Sequence, residues 1–141
     1  MMDQTALEEL AREIAGKITT GGKLFLSGDL GTGKSVFARA VLRELGIKGS
    51  IPSPSFIVDA VYNSGDLEIH HIDLYRLEGS PHEMAFYGIY EVLESDAVVI
   101  VEWAERLDAA ALEKGIFVTI DFTDDPIMRE VSVDERSLAG N

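Results

Sequence analysis

The run Gly28-Asp29-Leu30-Gly31-Thr32-Gly33-Lys34-Ser35 constrains this chain more than any other segment. Its pattern is glycine, four residues, then Gly-Lys-Ser. Glycines at 28, 31 and 33 let the backbone curl, so that successive N–H groups point inward at phosphate oxygens. Lys34 can reach β- and γ-phosphates, and the Ser35 hydroxyl can ligate Mg²⁺. Leu30, Gly31, Thr32 and Gly33, with Lys34 and Ser35, are therefore the expected nucleotide contacts. The flanks fit. Leu24 to Leu26 reads as a buried strand, and Val36 to Leu45 as a helix whose positive end faces the phosphates.

The rest of the chain alternates strand and helix signals around that loop. Thr5 and Glu8 have capping-box spacing, and Leu7, Leu10, Ala11, Ile14 and Ile18 recur at helical spacing, so 5–18 is expected to be an amphipathic helix. Gly46 should end the second helix. Ile51-Pro52-Ser53-Pro54-Ser55 reads as a stiff turn. Phe56–Tyr62 and Leu67–Asp73 flank Asn63-Ser64-Gly65-Asp66 and predict a β-hairpin. Pro81 to Glu94 reads as helix interrupted near Gly88. Ala97–Val101 is a fully buried strand. Ala109–Lys114 is a short helix, Ile116–Phe122 a strand, and Met128–Val133 follows after a turn. The fold class is α/β, a mixed central sheet flanked by helices, in one domain over 1–135 with a frayed tail over 136–141.

In such sheets ligands sit at the carboxyl ends of strands, so acids placed there matter. Val98 to Val101 ends in Glu102, and Ile72 ends in Asp73. A phosphate-loop enzyme needs one acid in the metal shell and a group that orients water. Spacing does not say which acid does which. Ser55 offers a hydroxyl that could meet the metal or γ-phosphate, although composition alone makes that segment a proline turn. His70 and His71 are strand neighbours that point to opposite faces and do not share a metal easily. They and His82 read as packing. Trp103, the single tryptophan, could stack near the nucleotide or pack in the core. Arg76, Arg106 and Arg129 are possible phosphate contacts, with surface solubility the default.

Charge narrows the partners. Lys and Arg total 12 against 25 Asp and Glu, a net charge of −13. Such a chain repels a polyanion, so any nucleic acid is expected to be held by a partner. There is no cysteine, which excludes disulfides and thiolate zinc sites and is compatible with a reducing cytoplasm. No apolar run approaches the roughly 20 residues of a membrane span, and the N-terminus lacks a signal-peptide pattern. At 141 residues and 46% apolar, one real core is expected.

At this point the motifs resemble a specific family. Gly28 to Ser35 resembles its GDLGAGKT loop, and Ser53-Pro54-Ser55-Phe56 its SPT loop with a following aromatic. His71-Ile72-Asp73-Leu74-Tyr75-Arg76-Leu77 resembles its H-F-D-L-Y-R-L element. Gly88-Ile89 and Val101-Glu102-Trp103 resemble its later Gly-Ile and V-E-W elements. The D-L-Y-R-L and V-E-W combination is far more specific than the phosphate loop. The family is the YjeE/TsaE-type ATPase of tRNA threonylcarbamoyladenosine (t⁶A) synthesis.

The resemblance implies a small α/β ATPase that uses ATP and Mg²⁺ and supports turnover of a TsaB–TsaD pair. That pair carries out threonylcarbamoyl transfer to tRNA, so tRNA is contacted only through partners. The family's metal contacts fall on Ser35, Asp73 and Glu102, with Glu102 the choice for positioning water. Lys34, Asp73 and Glu102 are the expected catalytic set. Departures exist: Ser35 and Ser55 stand where threonine is common, Thr32 where alanine is usual, and Ala104 where proline is frequent. Two other readings are weighed. A small-molecule kinase would need an arginine-bearing lid, and the acidic segment 79–96 has no arginine. A GTPase would need an Asn-Lys-x-Asp element, which is missing. The remaining rival is a nucleotide-gated binding module with negligible hydrolysis.

Overall fold

The computed structural model describes residues 1–49, 51, 58–78, 80–108, 111–112 and 114–136. Their strands are β1 (Lys23–Ser27), β2 (Asp59–Ser64), β3 (Leu67–Asp73), β4 (Val98–Glu102), β5 (Gly115–Phe122) and β6 (Arg129–Arg136). The helices are α1 (Gln4–Ile18), α2 (Lys34–Glu44), α3 (Pro81–Phe86) and α4 (Ile89–Glu94). The strands form one sheet in the order β2-β3-β4-β1-β5-β6. β3, β4, β1 and β5 run parallel, and the edge strands β2 and β6 are antiparallel to their neighbours. This is the mixed sheet that the sequence predicts.

Side-chain alternation divides the core between the two faces of the sheet. Leu24, Leu26, Ile69, Val98, Ile100 and Val118 pack with Ile14 and Ile18 of α1 and with Phe37, Val41 and Leu42 of α2. Phe25, Ile72, Val99 and Val101 pack on the other face with Met84 of α3 and Ile89 of α4. Every residue of β4 is buried, as a parallel strand covered on both faces requires.

Local chemistry explains the boundaries. α2 ends in a Schellman arrangement: Gly46 lies at φ +102°, its N–H donates to Arg43 O (3.0 Å), and that of Ile47 donates to Leu42 O (3.1 Å). The hairpin closes on Gly65-Asp66 with Ser64 paired to Leu67, and Gly65 at φ +61° supplies the positive φ its first loop position needs. The helical segment 81–94 breaks at Gly88 (φ +68°) as predicted, and Ser80 with Glu83 forms a capping box at its start.

Two expectations are corrected. α1 is capped by Asp3, whose carboxylate accepts from Ala6 N (2.9 Å), and not by Thr5. Glu8 instead accepts from Gln4. β6 extends to Arg136, paired with Gly115, so the first residue assigned to the tail belongs to the sheet. The Pro52–Ser55 turn, residues 109, 110 and 113 of the expected 109–114 helix and residues 137–141 lie outside the described residues.

Candidate nucleotide site

β1 delivers the chain to the phosphate loop at the carboxyl end of the sheet. Gly28 is the most constrained position. At φ +138°, a Cβ there would stand 2.1 Å from the Ile120 carbonyl oxygen of the neighbouring strand. Only glycine fits. Thr32 is buried and closes the loop, its Oγ1 and N–H both donating to Asp29 O (2.9 and 3.3 Å). Leu30 stands at the exposed tip. Gly31 and Gly33 also lie at positive φ, and Gly33 begins α2 with no side-chain cap. The positive end of an 11-residue helix thus faces the loop.

Lys34 is buried within this loop. Its Nζ donates to Gly28 O and to Asp29 O (3.1 Å), and lies 3.7 Å from the centroid of the Trp103 ring. Burial pushes its pKa down, against the pull of Glu105, Glu102, Asp29 and Asp73. Trp103 therefore sits at the site and not in a remote part of the core. Among the described residues it alone, apart from glycines, has positive φ (+61°). That strained turn leads from β4 into the 3₁₀ turn Ala104–Arg106 and places the indole under Lys34. Tyr75 packs against the same indole, ring centroids 5.1 Å apart.

The two strand-end acids stand side by side. Asp73 and Glu102 are register partners on the parallel strands β3 and β4. Glu102 is 1% exposed, yet both its oxygens are engaged. Ser35 Oγ donates to Oε1 over 2.7 Å, and His71 Nε2 lies 2.6 Å from Oε2. Burial pushes the Glu102 carboxyl up, but the hydrogen bonds and attraction of His71, the Ser35 hydroxyl and the Lys34 charge outweigh it, and the net shift is downward. Asp73 goes the other way. Burial raises its pKa and the Glu102 charge adds to this, partly countered by the Tyr75 N–H, which donates to Asp73 Oδ1 (2.9 Å), and by His71 and Lys34. Side-by-side acids with opposite shifts are the pattern of a functional pair.

The structure thus brings together Lys34, Ser35, Asp73 and Glu102 beside Gly28–Gly33. Ser55 lies outside the described residues. Arg129 is not free for a phosphate: its Nε donates to Thr32 O (3.0 Å) and one terminal nitrogen to Pro126 O and Met128 O (3.0 Å each), which braces the loop from outside. Arg106 is likewise spent on Leu77 O and the Trp103 face. The aromatics of the 86–90 segment divide: Phe86 is 78% and Tyr87 43% exposed, while Tyr90 donates to Asp108.

Sequence reasoning missed three features. His71 was read as packing, yet it holds Glu102. The signal was available, because residues two apart on a strand share a face and His71 shares that of Asp73. Glu105 also reaches the loop, accepting from Gly28 N at 3.5 Å. Finally, a cavity of about 490 Å³ opens beside Thr32, Gly33 and Val36, walled by Asp3, Thr5 and Ile127. No single motif marks it, because α1, α2 and the β5–β6 turn each contribute a wall.

The class these features define is the phosphate-loop NTPase fold. The family described as "Threonylcarbamoyl adenosine biosynthesis protein TsaE" matches residues 1–131. A TsaE protein of Streptomyces coelicolor is 39% identical over 117 residues, covering 82% of this chain and 78% of that one. The Haemophilus influenzae TsaE protein is 37% identical over 102 residues, 72% of this chain, which spans 64% of its length. The crystal structure of YdiB from Bacillus subtilis superposes with a TM-score of 0.70 at 26% identity, covering 97% of this chain and 83% of that one. The chain belongs to the TsaE family, whose members take part in t⁶A biosynthesis.

Proposed function

We propose that this chain binds ATP with Mg²⁺ and hydrolyses it to support turnover of a TsaB–TsaD pair in tRNA t⁶A synthesis. The observation that carries the reading is the contact between Ser35 of the phosphate loop and Glu102 at the end of β4. It joins the expected metal hydroxyl to the expected acid in one buried corner, with Asp73 beside it.

The donor set fits a hard divalent cation. A hydroxyl and two carboxylates are oxygen ligands, and the net downward shift of Glu102 keeps it ionised. Among the described residues no cluster of three or more His, Cys, Asp or Glu side chains converges, so a cation would take its remaining ligands from phosphate and water. Ser35 and Asp73 or Glu102 would hold it. When bound, Mg²⁺ neutralises and orients the β- and γ-phosphate oxygens.

The chain's own groups do the rest. Lys34 exchanges the Gly28 and Asp29 carbonyls for phosphate oxygens, and the α2 end and loop amides hold the same group. Glu102, whose oxygens keep lone pairs to spare beside Ser35 and His71, orients the attacking water. The cavity beside Val36 lies one residue beyond Ser35, where the ribose and base of a nucleotide held by the loop would extend. Its wall Thr5 and the α1 N-terminus are proposed base contacts. Tyr75, Phe86 and Tyr87 are exposed aromatics suited to a partner surface. The net charge keeps tRNA a cargo of those partners, and the reading places the chain in the cytoplasm. Among the described residues no helix is long and apolar enough to cross a membrane.

The test is ATP turnover and co-purification with a TsaB–TsaD pair, with and without ATP. Nucleotide-dependent binding with stimulated hydrolysis supports the reading. Binding without hydrolysis favours a nucleotide-gated module, and turnover that tracks an added phosphate acceptor favours a kinase.

A further inference from the structure

We infer that His71 is a positioning residue for Glu102, holding one carboxylate oxygen so that the other stays turned towards Ser35 and the nucleotide. This rests on the ATPase reading above.

The geometry is specific. His71 is fully buried on β3, and its Nε2 lies 2.6 Å from Glu102 Oε2. An ionised carboxylate only accepts, so Nε2 is the donor. The other ring nitrogen, Nδ1, is buried without a partner among the described residues. A histidine retained only to fill space leaves this choice unexplained, because an apolar side chain would fill the same volume with no orphaned polar atom. Among the described residues, the one hydrogen bond its ring makes is the one that fixes Glu102.

Sheet register supplies the mechanism. His71 pairs with Ile100 and Asp73 with Glu102, so His71, Asp73, Ile100 and Glu102 share the face that α2 covers. His71 thus approaches Glu102 from within the sheet, while Ser35 approaches it from α2. Ser35 has a second task, because its lone pairs can meet a metal ion while its proton stays on Oε1, so its position follows the ion. His71 has no such second task. It keeps Oε2 in place, and Oε1 alone faces the nucleotide. Without it, the carboxylate could rotate at the moment it must orient water, and misplacement of that kind lowers turnover more than binding.

The experiment compares His71→Phe, which fills the space without a donor, with His71→Gln, whose amide donor has similar reach. Both are checked for native fold by circular dichroism and melting. In the TsaB–TsaD-stimulated assay, His71→Phe is expected to lose about 10- to 100-fold in kcat with KM for ATP within about threefold. His71→Gln should recover most of the loss. A folded His71→Phe within twofold of wild-type kcat overturns the inference, as does a His71→Gln variant no better than His71→Phe. Ring ¹⁵N NMR of the nucleotide-free protein is independent of turnover. It should show an Nε2-bound proton on His71 whose shift moves in Glu102→Gln, and an unmoved signal overturns the link. Wild-type protein that hydrolyses no ATP removes the ATPase reading and the inference with it, whereas hydrolysis with an indifferent His71 removes the inference alone.

Discussion

Ser35 Oγ donates to Glu102 Oε1 over 2.7 Å, and this one hydrogen bond ties the start of α2 to the end of β4. The hydroxyl can keep this bond and still offer its oxygen lone pairs to a cation, so one contact links the acid to the expected metal position. Glu102→Gln keeps the shape and still accepts from His71, but it cannot act as an ionised acceptor for water. ATP binding should stay within about threefold while kcat falls by about 10²- to 10⁴-fold. Isothermal titration beside a steady-state assay separates the two, and unchanged turnover would remove Glu102 from the chemistry.

Lys34→Ala should do the reverse. The ammonium lies buried against Gly28 O, Asp29 O and the Trp103 ring, in position to exchange carbonyls for phosphate. Losing a charge-assisted contact of about 1.5–3 kcal/mol should weaken ATP at least about tenfold. Trp103 is the single tryptophan, so its fluorescence gives the binding curve directly.

Asp73→Asn should divide stability from function. Burial and the Glu102 charge both disfavour the ionised Asp73 carboxyl, so its pKa is raised and the native state holds its proton more tightly than the unfolded chain does. This contribution to stability therefore falls as pH rises from the ordinary carboxylate range through the folded pKa, and ionisation is a cost at neutral pH. Asparagine removes the charge and can still accept from Tyr75 N. The variant should melt higher than wild type without nucleotide, and gain less from ATP and Mg²⁺. A lower melting temperature in the absence of ligand would contradict this.

Most of the candidate site's arrangement was legible because its chemistry is local. Three glycines, a lysine and a hydroxyl residue within eight positions specify a phosphate loop wherever it occurs, and apolar runs ending in Asp73 and Glu102 specify strand ends. What escaped depends on long-range pairing. Thr5 and Asp3 are both good caps, and the choice falls on Asp3 because Met2 pairs with Arg129, which holds the preceding residue extended. β6 reads as polar and short, yet it runs to Arg136 because it follows β5 all the way to Gly115. His71 looked like a packing residue because the partner that gives it meaning is 31 positions away.

His70 should make stability depend on pH in the opposite sense to a depressed carboxyl. Its ring nitrogens lie 2.7 Å from Asp59 Oδ2 and 2.9 Å from Glu68 Oε2. Burial lowers its pKa, but the bonds and charges of Glu68 and Asp59 outweigh it, and the net shift is upward. The native state therefore binds the proton more tightly than the unfolded chain. The stabilisation is complete below the ordinary histidine value of about 6.5 and lost as pH rises through the folded pKa. Wild type should lose more melting temperature than His70→Gln between about pH 6 and pH 8, and parallel curves for the two would show that the clamp contributes nothing.

Two glycine substitutions should move stability in opposite directions. Gly28→Ala drives a Cβ to 2.1 Å from Ile120 O at a φ of +138°, and the atom it meets is sheet backbone that cannot yield. The loop must shift away from β5, so the variant should lose at least about 2 kcal/mol and weaken ATP binding as well. Gly16 lies on the exposed side of α1 with open space around its Cβ position. Gly16→Ala should gain about 0.5–1 kcal/mol through lower unfolded-state entropy and higher helix propensity, with ATP binding unchanged. Urea unfolding of both variants beside wild type measures the pair. Loss of ATP affinity in Gly28→Ala without loss of stability would show that the loop moves independently of the sheet, contrary to the close contact between Gly28 and β5.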